Sequence, residues 1–265
     1  MMAWLKEALL ACLWCSMVWG LQASGEERRV RVATLENYPP FCFYREGVER
    51  QTLEVVPPGS DAVSFQGFSW DVLRESFHAR GYTIELVITP WARAMTNINQ
   101  GNVELLFPTG KNLERASYLS YPKTPLNEVD FRVYVSRDAD IVWEGLASLE
   151  GRTIGMVRGY NLGDDWMQLD GIDKYPVNSI EQGFRMLRLG RLDGFAGYEI
   201  NWDYILKQMG LQGQFEKLPV FGSSKEYVVG LTRSPGTPHL LAEFEAGMAA
   251  IKENGTYQRL VERWQ

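Results

Sequence analysis

The sequence has few of the side chains that bind metal ions or catalyse acyl transfer. Its 265 residues include two histidines, His78 and His239, which are far apart and have no histidine or cysteine beside them. A metal site and a histidine-based catalytic triad are therefore not expected. Of the three cysteines, Cys12 and Cys15 lie in an N-terminal segment predicted below to be removed, which leaves Cys42 alone. An internal disulfide is not expected in the mature chain.

Positive charge is also scarce. The 27 Lys and Arg residues are outnumbered by 33 Asp and Glu, which gives a formal net charge of −6 and a pI of about 5.2. Because binding to a phosphate backbone needs clustered Lys and Arg, nucleic acid is not an expected partner. Hydrophobic residues make up 45% of the chain, enough for ordinary globular cores in one large domain or two small lobes.

Long apolar runs are absent after residue 24. The one apolar run, at residues 8–21, is shorter than the roughly 20 residues that a membrane-spanning helix needs. This length and the small residue Ala23 predict a signal peptide over residues 1–23, and hence export to the periplasm. The acidic Glu7 departs from that pattern, and an uncut N-terminal membrane anchor is the alternative.

The hydrophobic pattern predicts alternating strands and helices in the first part of the chain. The predicted order is a strand at 29–35, a helix at 70–80, a strand at 82–88, a helix at 91–99 and a strand at 103–107. Ser69 is the expected N-cap of the first helix, which Gly81 would end. Residues 45–65, polar and containing Pro and Gly, predict a hairpin or a long loop. This β-α-β-α-β order is typical of a parallel sheet with crossover helices.

A similar alternation restarts further along the chain. Strands are predicted at 128–136, 153–157, 174–177, 192–196 and 227–232, and helices at 164–169, 180–189, 199–209 and 238–254, with a short helix ending at residue 264. Ser179 is the expected cap of the helix that ends at Gly190. The last two helices follow the second α/β unit without a further strand, and we expect them to pack on the first unit.

Two α/β units joined in this way predict two lobes. Residues 24–125 and 224–265 would form lobe 1, and residues 126–223 would form lobe 2. The chain would cross between the lobes near 121–130 and 219–228, which suits a hinge in which a few residues absorb the rotation. Ligands of such sheets bind in the crevice beyond the carboxyl ends of the strands.

Several short segments, in order, resemble the family 3 bacterial extracellular solute-binding proteins, which include the amino-acid receptors of ABC transporters. These segments are RVA at 31–33, YPPF at 38–41, GFSWD at 67–71, NLER at 112–115, LEGRTIG at 149–155, GRLD at 190–193 and NGTY at 254–257. The resemblance implies a type II periplasmic-binding-protein fold, in which each lobe is a mixed sheet with flanking helices. It also implies a monomer without a cofactor that captures a solute and delivers it to a membrane permease.

The same resemblance implies a set of ligand-binding residues. The arginine at the position of Arg115 grips the carboxylate of the ligand in this family, and a guanidinium suits that role because it pairs with a carboxylate through two hydrogen bonds. Glu114 is its expected partner when no ligand is bound. The other implied contacts are Tyr38, Phe107, Thr109, Tyr160 and Asn161.

One departure from the family pattern concerns the ligand's ammonium group. Receptors for amino acids in this family carry an acidic residue after the GRLD strand, where Tyr198 stands here. The adjacent Glu199 would point elsewhere on a regular backbone. An amino-acid ligand is therefore left open, and Tyr198 itself is a candidate ligand contact. Trp91 and Arg93, at the start of the second helix, are two further candidates near the cleft.

Three functions stay open from the sequence. The first is binding without catalysis, in which the ligand stabilises the closed lobes for an ABC permease or a sensor kinase. The second is an enzyme similar to the periplasmic cyclohexadienyl dehydratases of this family. Its acid or base would be Asp71, Asp164 or Glu199, and Arg115 and Arg93 would be the anion clamps. The third is a sensory module without transport.

Overall fold

A computed structural model describes residues 28–264 of the chain. The predicted signal peptide, with Cys12 and Cys15, lies outside the described residues. The strands are β1 (Arg29–Leu35), β2 (Asn37–Tyr38), β3 (Cys42–Tyr44), β4 (Leu53–Val56), β5 (Phe65–Gln66), β6 (Thr83–Thr89), β7 (Leu105–Gly110), β8 (Leu119–Ser120), β9 (Asn127–Ser136), β10 (Thr153–Val157), β11 (Asp173–Val177), β12 (Gly194–Tyr198), β13 (Phe215–Lys217) and β14 (Gly222–Leu231). The α-helices are α1 (Phe68–His78), α2 (Trp91–Gln100), α3 (Leu113–Ala116), α4 (Asp164–Gln168), α5 (Ile180–Arg188), α6 (Glu199–Gln208), α7 (Thr237–Glu253) and α8 (Thr256–Trp264). Within this part of the chain, no helix has the length and apolar character to cross a membrane.

The main sheet has the strand order β11-β10-β12-β9-β14-β7-β1-β6-β4. In what we call the first half, β1 lies parallel to both β6 and β7, and β4 adds an antiparallel edge. In the second half, β10 lies parallel to β11 and β12, while β12 is antiparallel to β9. Each half is a mixed sheet with flanking helices, which confirms the predicted fold class.

Strand β14 joins the two halves. Its residues from Gly222 to Glu226 pair with β9, and its residues from Glu226 to Gly230 pair with β7. Glu226 is therefore the residue at which the strand passes from one half to the other. Because β9 begins at Asn127, directly opposite Glu226, both chain crossings lie at this level of the sheet.

The two C-terminal helices pack on the first half, as the sequence predicts. Helix α7 lies against α1, and α8 contacts both. Asp71 on α1 is buried and links α1 to α8, because its carboxylate accepts a hydrogen bond from Trp264 Nε1 at 2.8 Å as well as one from Arg74 Nη1, on its own helix, at 2.9 Å. Helix α8 is thus part of the first half.

Gly247 permits the close approach of α7 to α1. A Cβ atom there would lie 2.0 Å from the backbone oxygen of Ser76. We expect Gly247→Ala to lower the free energy of unfolding by about 1–3 kcal/mol, because the helices must separate to accept the methyl group. Urea denaturation measures this change. The control is Gly236→Ala at the start of α7, where a Cβ meets nothing within 4 Å, and equal effects of the two substitutions would contradict the prediction.

The structure corrects three local predictions. Helix α1 begins at Phe68 with Gly67 as its N-cap, and Ser69 instead donates a hydrogen bond from Oγ to Asn127 Oδ1 at 2.7 Å. A glycine is needed at 67 because φ is 137° and a Cβ would lie 2.3 Å from the Phe41 oxygen. Residues 45–65 form no hairpin, since β4 pairs with β6 and β5 with β3. Strands β7, β12 and β14 also extend beyond their predicted bounds.

Candidate functional site

A cavity lies between the two halves, at the carboxyl ends of the parallel strands. Leu35, Gly110 and Tyr198 are the last residues of β1, β7 and β12, and all three line it. The other lining residues are Tyr38, Trp91, Pro108, Arg115, Gly159, Tyr160, Asn161 and Glu226. Both halves therefore contribute walls, in the crevice where α/β sheets bind ligands.

Arg115 enters the cavity from the short helix α3. The side chain of Asn112 caps this helix, because its Oδ1 accepts a hydrogen bond from the Arg115 backbone at 2.8 Å. The Arg115 guanidinium lies over the Trp91 ring, 5.3 Å from its centroid, and Nη1 donates to the Gly110 oxygen at 3.1 Å. Within residues 28–264 it forms no ion pair, not even with the expected partner Glu114, whose side chain is exposed. The guanidinium is thus oriented but retains N–H groups for an anion.

The loop Gly159–Tyr160–Asn161 faces Arg115 from the second half. The hydroxyl of Tyr198 donates to the Asn161 oxygen at 2.9 Å and accepts from the Asn161 nitrogen at 3.2 Å. This pair of hydrogen bonds fixes the loop and occupies one of its backbone amides. The side-chain nitrogen of Asn161 stays at the cavity. From the position that a Cβ would take on Gly110, Asn161 Nδ2 is 3.8 Å and Arg115 Nη1 is 4.0 Å away. Donors from opposite halves therefore converge beside Gly110.

Three tyrosine rings form one side of the cavity. Tyr160 stacks on Tyr198 with centroids 5.2 Å apart, and the edge of Tyr38 meets them at 6.2 and 5.8 Å. Burial raises the pKa of all three hydroxyls above the ordinary value. They are therefore neutral at physiological pH and serve as hydrogen-bond donors or acceptors, and as aromatic faces.

Glu226 is a cavity residue that the sequence reasoning missed. Its side chain is 4% exposed. Its Oε2 accepts hydrogen bonds from the Tyr38 hydroxyl at 3.0 Å and from Asn127 Nδ2 at 2.6 Å. Burial raises the pKa of this carboxyl to about 7, although both hydrogen bonds and the charge of Arg115 oppose the increase. The available signal was an acidic residue directly before the mostly apolar run YVVGL (227–231).

Six of the nine sequence-predicted ligand contacts line the cavity, and three do not. Tyr38, Trp91, Arg115, Tyr160, Asn161 and Tyr198 belong to the first group. Phe107 and Thr109 face the other side of β7, since strand residues alternate and it is Pro108 and Gly110 that line the cavity. Phe107 stacks on Trp70 in the core at 6.4 Å. Arg93 lies exposed on α2 and does not reach the cavity.

The carboxylates named for an enzymatic role also lie away from the cavity. Glu199 forms ion pairs with Arg132 at 2.5 Å and Lys217 at 2.8 Å, and these cations lower its pKa against the effect of burial. Asp71 is held in the core by Arg74, and Asp164 begins α4. No group of His, Cys, Asp or Glu suited to a metal ion occurs within residues 28–264.

Comparison with known proteins agrees with this architecture. Residues 30–265 match the model of the family described as bacterial extracellular solute-binding proteins, family 3. The ABC transporter arginine-binding protein 1 of Escherichia coli (strain K12) is 28% identical over 161 residues, which cover 57% of this chain and 61% of that protein. The match thus spans about three fifths of that relative.

Solved structures share the fold at low sequence identity. A histidine kinase sensor domain with similarity to periplasmic binding proteins superposes with a TM-score of 0.75, at 18% identity, over 90% of this chain and 96% of that one. The substrate-binding protein of an ABC uptake transporter from Streptococcus pneumoniae, with bound histidine, gives a TM-score of 0.73 at 13% identity, over 89% and 92% of the two chains.

Proposed function

The chain belongs to the bacterial extracellular solute-binding proteins of family 3, and on that premise we propose that it binds a small carboxylate-bearing solute by closing its two halves around it. The observation that carries this proposal is that Arg115 from the first half and Asn161 from the second line one cavity. A carboxylate beside Gly110 would accept hydrogen bonds from both side chains, and from both only when the halves are together. We also propose that the protein is located in the periplasm and that it binds the solute without catalysing a reaction.

Closure would work by a shift of population. A ligand that contacts both halves only in the closed form stabilises that form by its differential affinity. Contacts between the halves contribute as well, since Asn201 Nδ2 donates to the Pro39 oxygen at 2.5 Å and the Phe43 and Tyr204 rings lie 5.6 Å apart. The proposed hinge is the pair of chain crossings, with lobe 1 at residues 24–125 and 224–265 and lobe 2 at 126–223.

A ligand screen tests the proposed function. The chain without residues 1–23 is unfolded in guanidinium, dialysed and refolded to remove any bound solute. Thermal shift and titration calorimetry then compare the twenty L-amino acids, short dicarboxylic acids and simple amines. They also include the des-amino acids, which are the same carboxylic acids without the α-amino group. We expect at least one carboxylate to raise the melting temperature and to reduce the radius of gyration in X-ray scattering. Absence of binding throughout the panel would contradict the proposal.

Asn201→Ala should shift the protein toward the open form. The substitution removes the hydrogen bond to Pro39, which is buried and links the two halves. Loss of one such bond costs about 1 kcal/mol, so the ratio of closed to open molecules falls about fivefold. Scattering from the ligand-free variant should therefore give a larger radius of gyration than wild type or the exposed control Asn102→Ala. An unchanged radius would show that this contact does not influence closure.

The membrane protein that recognises the closed form is also a proposal. We propose that an ABC permease or a sensor kinase recognises the closed form, since one relative is named as an ABC transporter arginine-binding protein and one similar structure as a histidine kinase sensor domain. Genes for a permease and an ATPase beside this gene would support transport, and a signalling gene would support sensing.

A dehydratase-like activity is the second candidate, and Glu226 is the observation that favours it. A carboxyl with a pKa of about 7, in one cavity with Arg115, has the properties of an acid or base beside an anion clamp. Incubation of the purified protein with prephenate or arogenate, with the absorbance of the aromatic product as readout, decides between turnover and binding.

A further inference from the structure

One oxygen of Glu226 has no hydrogen-bond partner in the protein. Both hydrogen bonds to this carboxyl, from Tyr38 and Asn127, end on Oε2. Oε1 receives none from the described residues, and the side chain lines the cavity. The two donors hold the carboxyl in a fixed orientation, because each comes from a buried residue. The free oxygen is thus presented to whatever occupies the cavity.

The charged and titratable groups around Glu226 do not neutralise it. Those that interact with it are Tyr38, Cys42, Arg115, Tyr160 and Tyr198. Four of these are acids that stay neutral because burial raises their pKa, and Arg115 contacts Gly110 and Trp91 rather than the carboxyl. A buried carboxylate is costly unless a cation pairs with it. Within residues 28–264, Glu226 has no ion pair.

We propose that Glu226 binds a protonated amine of the solute, so that the ligand is a zwitterion with its carboxylate at Arg115 and its ammonium at Oε1 of Glu226. This inference rests on the proposed function and adds the second charge of the ligand. The ammonium would complete the missing ion pair. The Tyr38, Tyr160 and Tyr198 rings line the same cavity and favour a cation through their faces.

The inference also accounts for the absence of an acid at position 198. The hydroxyl of Tyr198 is committed to the backbone of Asn161 on both its donor and acceptor sides. It therefore has little capacity left for an ammonium. Glu226 approaches the same cavity from the strand that crosses between the halves, so the acidic partner is supplied from β14 instead of from the end of β12.

Glu226→Gln tests the ammonium site. The glutamine has the same shape, its oxygen can accept the two hydrogen bonds, and its NH₂ group replaces Oε1 with a donor. For every L-amino acid that binds wild type, we expect the affinity to fall about 30-fold or more, while its des-amino acid loses less than threefold. The matched control is Glu128→Gln, an exposed acid on β9 that does not line the cavity, with unchanged affinities.

The pH dependence of wild type provides a second test that needs no variant. Only ionised Glu226 attracts an ammonium, so affinity for the amino acid should fall about 25-fold between pH 7.5 and pH 5.5, given a pKa of about 7 in the ligand-free protein. The des-amino acid should show no such fall. A neutral Glu226 that donates to a ligand oxygen would produce the opposite trend, with tighter binding at low pH.

The outcomes separate this inference from the function on which it rests. Binding of des-amino acids as tightly as amino acids, or equal loss of both in Glu226→Gln, would overturn the ammonium site and leave solute binding intact. Absence of binding of every probe would contradict the proposed function itself.

Discussion

Arg115→Met should weaken binding of the carboxylate ligand by roughly 30- to 5000-fold, the range that corresponds to 2–5 kcal/mol for removal of one partner of a buried ion pair. The guanidinium is held by Gly110 and Trp91 with donors left over, so little rearrangement is needed when an anion arrives. Methionine retains much of the side-chain volume against Trp91 but offers no donor. The ligand carboxylate would then be buried without its cation.

Two companions of this variant identify the source of the loss. Arg115→Lys keeps the charge but cannot form two parallel hydrogen bonds, and we expect an intermediate affinity. Arg188→Met removes an exposed charge from α5, which does not line the cavity, and should leave the affinity unchanged. Titration calorimetry with the solute found in the screen measures all three. A loss below threefold in Arg115→Met would mean that the carboxylate is held elsewhere.

The sequence predicts the parts of this site whose residues lie close together along the chain better than those that depend on contacts between distant segments. Arg115 and the loop at 159–161 follow motifs in which the decisive residues are close together in sequence. Their placement also needs only that strands end at the same edge of a sheet, which the alternating pattern supplies. For this reason six predicted contacts line the cavity.

The three predicted contacts that do not line the cavity show the limits of local sequence patterns. The predicted strand at 103–107 ends three residues before β7 does, at Gly110. Once the strand is extended, alternation alone places Pro108 and Gly110 on one side and Phe107 and Thr109 on the other. Arg93 follows Trp91 by two residues, which is more than half a turn of helix, so it lies away from the face on which Trp91 meets the cavity.

Glu226 depends on contacts that no short motif contains. Its donors, Tyr38 and Asn127, are 188 and 99 residues away in sequence. The predicted strand also began at 227, so Glu226 fell just outside it. Only the pairing of β14 with both β9 and β7 places this acid at the level of the cavity.

Glu226→Gln should stabilise the ligand-free protein at neutral pH, and the gain should depend on pH. Below about pH 4.5 the carboxyl is protonated in both the folded and the unfolded chain, and it makes no pH-dependent contribution. Between pH 4.5 and its folded pKa of about 7, the folded protein binds more protons than the unfolded chain, so wild-type stability falls as the pH rises. Above pH 7 the buried charge has lowered the free energy of unfolding of wild type by its full amount, about 3 kcal/mol, and the variant does not lose this stability.

Urea denaturation from pH 4.5 to pH 8 measures the difference in the free energy of unfolding between the variant and wild type. The contributions of the other titrating groups are the same in both proteins and drop out of this difference. A difference between Glu226→Gln and wild type that does not vary with pH would contradict the prediction, because it would mean that burial does not raise the pKa of this carboxyl. A bound ammonium should remove most of the effect, since it lowers the pKa of Glu226 and compensates the buried charge. An unpaired Glu226 destabilises the folded protein, and pairing with a cationic solute would remove that destabilisation and so strengthen binding. An acid at this position of the sheet therefore favours ligand binding at the expense of the stability of the ligand-free protein.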